Sequence, residues 1–120
     1  DFEKVVPYTE RLVNSDPENI NLRVKLGILY TDAKRYKEAT TAFKEVLRFV
    51  PDSDKVLYYL GAISQEQQEY DEAINYYSKI DESSALFQDS SLQIAQMLSN
   101  QALPVSGQVM RQKEKEIWRR

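Results

Sequence analysis

The 120-residue sequence predicts an all-α protein, a solenoid of stacked antiparallel helix pairs, on two observations. The first is a fixed period of about 34 residues. Leu26-Gly27, Tyr36, Ala39 and Phe43 recur as Leu60-Gly61, Tyr70, Ala73 and Tyr77, and Ile94-Ala95 and Gly107 follow at the next multiple. Moving backwards, Phe2, Leu12 and Pro17 fall where Tyr36, Val46 and Pro51 stand. A regular period of this length marks units that stack because none can bury its apolar face alone. The second observation is that apolar residues within each unit recur at three- and four-residue spacing, as amphipathic helices require.

Taken in order, residues 1–19 read as the second helix of a truncated repeat, so the chain opens inside a repeat and reads as a piece of a longer one. Pro7 lies near enough to the helix start that its lost amide costs less than it would in mid-helix. Asp16-Pro17-Glu18-Asn19 ends this helix, with Asn19 the expected N-cap of the next. Residues 20–53 form the first full unit. Leu22, Leu26 and Leu29 mark its first helix, and Ala39, Ala42, Phe43, Val46 and Leu47 mark an antiparallel second helix over Tyr36 to Val50 after a very short turn.

Residues 54–87 repeat this with Val56, Leu57, Leu60 and Ile63, then Tyr70, Ala73, Ile74, Tyr77 and Ile80. Ser64 stands where Tyr30 stood and Ala85 where Pro51 stood, so this second helix is expected to end differently, near Asp81 to Ser84. Residues 88–120 form a degenerate unit. Leu92, Ile94, Ala95 and Leu98 keep the spacing, and 105–120 read as a terminal capping helix with Val105, Val109 and Met110 turned inward. The total is about seven helices. Glycine inside a helix costs roughly 1 kcal/mol against alanine, so the pairs Gly27 with Ala39 and Gly61 with Ala73, and the small pair Ala95 with Gly107, are read as places where two helices cross closely.

Composition narrows function by exclusion. With 42% hydrophobic residues the chain can support a core. Having neither cysteine nor histidine, it lacks disulfides, thiolate nucleophiles, imidazole bases and almost every zinc or redox-metal ligand set. A cysteine-free chain suits reducing and oxidising compartments alike, and the cytoplasm is slightly favoured. Net charge is −3, but the last ten residues hold five basic and two acidic groups, so the repeat body is acidic and its tail basic. No apolar run approaches the roughly 18 to 20 residues of a membrane span, so no membrane insertion is expected.

The motif Leu26-Gly27, Tyr30, Ala39, Phe43 and Pro51, with its recurrence one period on, resembles the tetratricopeptide repeat, although Arg23, Leu57 and Ser91 replace that signature's leading aromatic. The resemblance implies a right-handed superhelix whose first helices line a concave groove for a peptide or partner helix. The groove positions it implies are Asn21, Val24, Ile28 and Thr31, then Lys55, Tyr58, Ala62 and Gln65, then Asp89, Leu92, Gln96 and Ser99. Each set is spaced three, four and three apart and so lies along one helix face. Val24, Ile28 and Leu92 read equally as an apolar groove floor or as packing against neighbouring first helices. Tyr58 leans towards binding, because aromatic anchors are enriched at binding sites. The family's carboxylate clamp, a set of Lys, Asn and Arg that captures chaperone C-termini, falls here on Val24, Ile28, Tyr59, Asp89 and Gln93, none of which fits.

Catalysis is not expected. Acidic pairs such as Glu66 with Glu69, or Asp71 with Glu72, read as solvated helix faces and turns, with no pocket to raise a carboxyl pKa. The three glycines, one per repeat, cannot cradle a phosphate. Neither cofactor nor metal is implied, and the acidic body disfavours nucleic acid. The basic tail through Trp118 reads as a solvated helix end. What remains is a protein-interaction module that binds a peptide or partner helix in its groove, or alternatively a structural spacer or self-association segment of a larger protein.

Overall fold

A computed structural model describes residues 1–101, which form six helices and, among the described residues, no strand. These are α1 (Phe2–Ser15), α2 (Ile20–Asp32), α3 (Tyr36–Phe49), α4 (Asp54–Glu66), α5 (Tyr70–Ser78) and α6 (Phe87–Gln101). The seventh, capping helix expected over 105–120 lies outside the described residues. So do Val105, Gly107, Val109, Met110 and Trp118.

Local chemistry marks the helix starts. Asn19 caps α2 by accepting a bond from the Leu22 amide at 3.2 Å, and Ser53 does the same for α4 through the Val56 amide at 3.4 Å. The two turns inside the repeats are identical in form. Lys34 and Gln68, which hold the same repeat position, adopt left-handed φ values of 61° and 63°. Behind each, the next residue's amide reaches back five positions, Arg35 to Tyr30 and Glu69 to Ser64, both at 2.8 Å. This is the helix-ending arrangement that usually employs glycine, and here it is met twice without one.

Stacking produces two connected cores. The first joins α1 to α4 through Val6, Val13, Leu26, Ala39, Phe43, Val46, Val56, Leu60 and Ile63. The second joins α4, α5 and α6 through Leu57, Ala73, Tyr77 and Met97, together with Ile80, and Leu47 and Tyr76 pack against both cores. Ala39 and Ala73 are fully buried. The recurring glycines have a more specific cause than the crossing of two backbones. A Cβ placed on Gly27 would stand 2.5 Å from the Phe43 ring, and one on Gly61 would stand 2.7 Å from the Tyr77 ring. Each glycine is the seat of an aromatic ring from the paired second helix.

One expectation is corrected, and the third unit departs from the residue types of the first two. α5 ends at Ser78, earlier than the Asp81 to Ser84 region, and Ile80 is buried from the connection rather than from the helix. In α6, Leu98 is exposed and the inward positions are Ser90 and Met97, with Ile94 partly buried. Ser90 and Met97 hold the repeat positions of Val56 and Ile63, so the core register continues although its residue types change. Ala95 is exposed, and Gly107, its expected partner at a crossing, lies outside the described residues.

Candidate functional site

Among the described residues, the α4 face brings three expected groove residues together. Lys55, Tyr58 and Ala62 lie along it at three- and four-residue spacing and, with Tyr59 and Leu86, line an open and largely apolar cavity of about 420 Å³. The Tyr58 ring is anchored edge-on against the buried Tyr77 ring, with centroids 5.2 Å apart. Tyr59 is held by stacking on Phe43 at the same separation. Leu86 closes the far side because the α5–α6 connection is tied to α4: the Ser84 hydroxyl donates to the Asp54 carboxylate and accepts from the Leu86 amide. Tyr59 and Leu86 were not foreseen as lining. Tyr59 belongs to a neighbouring helical stripe, and Leu86 enters through a connection with no periodicity to read.

The other expected positions divide. On α6, Leu92 is exposed, as a groove residue would be, and Asp89 is near enough to Tyr58 to act on its phenol. Gln96 and Ser99 border a separate shallow depression with Ala95 and Asn100. On α2, Asn21 is exposed, whereas Val24 and Ile28 are partly buried against the first core. The Thr31 hydroxyl bonds to its own helix at the Gly27 carbonyl, 2.8 Å away. Gln65 departs from the open polar rim expected of it. Its amide accepts from the Tyr77 hydroxyl and donates to Gln93, both at 2.9 Å, and so ties α4, α5 and α6 together.

Burial marks three phenols. Those of Tyr30, Tyr58 and Tyr77 all have pKa values above the ordinary value of about 10, chiefly because burial disfavours phenolate. The next causes are the hydrogen bond to the Glu10 carboxylate for Tyr30 and the charge of Asp89 for Tyr58. A phenol whose pKa is raised by folding is ionised first in the unfolded chain, so stability from this source holds below pH of about 10 and is lost as pH rises further. In an ultraviolet phenolate titration, two of the eight tyrosines, the buried Tyr30 and Tyr77, are expected to ionise only as helicity is lost. All eight ionising while the helices persist would contradict the burial of these rings.

No described helix is long and apolar enough to cross a membrane. Comparison with known proteins agrees with the repeat geometry. The crystal structure of MamA superposes with a TM-score of 0.76 over 85% of this chain and 60% of that one, at 20% identity, a likeness of fold. A curated relative, the BBSome complex member BBS4 of Bos taurus, is 26% identical over 80 residues, which is 67% of this chain and 15% of that protein. The family model described as tetratricopeptide repeat matches residues 30–97, more than half of the sequence. With its fixed period, its paired helices and its ring-seating glycines, the chain belongs to the tetratricopeptide repeat family, a family of protein–protein interaction modules.

Proposed function

We propose that this chain binds a peptide or partner helix on the face formed by α4 and α6, with Tyr58 at the centre. The cavity of Lys55, Tyr58, Tyr59, Ala62 and Leu86 carries this reading, because its apolar floor and single cationic edge offer burial for an anchoring side chain and a polar contact beside it. Exposed Leu92 extends the apolar surface, and Asn21 and Gln96 supply outlying polar groups able to meet an extended backbone. Val24, Ile28, Thr31 and Gln65, each partly buried, support this face by positioning the helices.

Because Tyr58 also packs on Tyr77, two variants are needed. Tyr58→Ala is expected to weaken a partner isolated by pull-down by about 2 kcal/mol, roughly thirtyfold. Ala62→Glu, which puts a charge into the cavity without removing a core contact, is expected to weaken it comparably with little change in melting temperature. Lys44→Ala, at an exposed site on α3, is the control. If the control weakens binding as much as the two variants do, or if Ala62→Glu binds normally, the partner uses another face.

The exposed apolar stripe of Phe2, Val5, Tyr8 and Leu12 on α1 supports a second reading, a self-association or structural role. Val5 and Leu12 occupy the repeat positions of Ala39 and Val46, which in the first full unit are buried. Light scattering at micromolar concentration separates the readings: a dimer or larger species lost in Val5→Asp/Leu12→Asp favours assembly.

A further inference from the structure

A second cavity, of about 330 Å³, opens between α1, α2 and α3, on the side of α2 opposite Val24 and Ile28. Its floor is Val13, Leu26, Tyr30 and Ala42. The internal repeat indicates what shape this space suits. The counterparts in the next unit are Leu47, Leu60, Ser64 and Tyr76, and there the Tyr76 ring packs against both cores. Where the second unit supplies its own aromatic ring, the first has only the methyl group of Ala42, and the Tyr30 ring is drawn towards α1 by its bond to the Glu10 carboxylate. The counterpart of Arg23 is Leu57, fully buried, so the first unit sets a partly exposed cation where the second sets an apolar core residue.

Charge at the mouth then selects among aromatic ligands. Glu38 is paired with Arg35 and Glu45 with Arg48, while Arg23 and Lys37, also on the rim, form no ion pair among the described residues. The wider surface has the same sign. Residues 20–53 contain seven basic and four acidic side chains, against two basic and eight acidic in residues 54–101. At the counterpart of Lys37 stands Asp71.

We infer that this cavity is a docking site for an aromatic side chain carried on an acidic segment of a protein partner. The ring occupies the space that Tyr76 fills in the second unit, and the flanking carboxylates meet Arg23 and Lys37. The basic tail around Trp118 of a second copy has the wrong charge for this site. The site shares no residue with the Tyr58 face and does not depend on it.

The test uses the full chain, isotope-labelled for amide NMR, with capped Glu-Tyr-Glu as probe and Glu-Ala-Glu and Lys-Tyr-Lys as comparators. Glu-Tyr-Glu is expected to shift the amides of Leu26, Tyr30 and Ala42 saturably at millimolar concentration. Lys-Tyr-Lys should bind at least about tenfold more weakly at about 50 mM salt, where surface charge is little screened, and Glu-Ala-Glu should not bind. Ala42→Tyr, which fills the space from within, should abolish the shifts, and Ala42→Leu provides the same block if the larger ring disturbs folding. The proposal is overturned by no saturable shift, by shifts that persist in both filled variants, by equal binding of Glu-Ala-Glu or Lys-Tyr-Lys, or by shifts confined to Tyr58 and Ala62. Concentration-dependent shifts of the same amides without peptide would assign the cavity to a second copy instead, and so would also overturn it.

Discussion

Replacing Ala73 with arginine is expected to destabilise the chain by at least about 2 to 4 kcal/mol, because no space exists for the side chain and no partner exists for the charge. Ala73 has no exposed surface and belongs to the core that joins α4, α5 and α6 through Leu57, Tyr77 and Met97. In a stack of so few units each contact between neighbours is a large share of the total. The melting midpoint followed by circular dichroism should fall by on the order of 10 °C or more. Asn75→Arg, two residues along the same helix at an exposed site, should change stability by no more than about 0.5 kcal/mol. An unchanged midpoint for Ala73→Arg would mean that the α4–α5 packing is not as drawn.

The second large effect concerns the ring seats. At an exposed helix position, exchanging glycine for valine gains a few tenths of a kcal/mol in helix propensity. At Gly27 the expected sign is reversed, with a loss of about 1 to 3 kcal/mol from overpacking. The new Cβ would meet the Phe43 ring, and that ring cannot retreat, being fully buried and stacked on Tyr59. Gly27→Val combined with Phe43→Leu should be less destabilised than the sum of the two single variants, by an amount within the roughly 0.5 to 3 kcal/mol seen for residues in contact. Strict additivity would show that the glycine is retained for another reason. The same cycle can be run at Gly61 and Tyr77, where the approach is 2.7 Å.

Much of the architecture is legible in the residues alone because a repeat states its own register. Asn19 as the cap of α2, the short turn before Tyr36, and Ala39 and Ala73 in the core all follow from periodicity and capping chemistry that act over a few residues. The turns at Lys34 and Gln68 were less legible, since their left-handed backbone is not announced by glycine or asparagine. The third unit was harder again. Its inward positions hold Ser90 and Met97 rather than branched aliphatics, while the apolar Leu92 and Leu98 are exposed, so apolar spacing alone does not mark its inner face.

For the site, periodicity placed Lys55, Tyr58 and Ala62 on one face of α4, and the structure gathers those three in one cavity. Tertiary structure alone decided the remainder. Whether Val24 and Ile28 form a groove floor or support the core depends on the neighbouring helix, and here they pack against the first core. Gln65 was taken up by Tyr77 and Gln93, which lie 12 and 28 residues away in sequence, a pairing that no local pattern encodes. By itself the sequence determined the repeat, the helix pairs and the positions of small and aromatic residues, because these depend on spacing along one chain. Which polar groups stay free, and which cavities stay open, depends on how side-chain volumes from different helices add up where they meet. Ala42 and Tyr76 hold the same repeat position, yet only contact with neighbouring helices leaves a cavity beside one and packs the ring of the other.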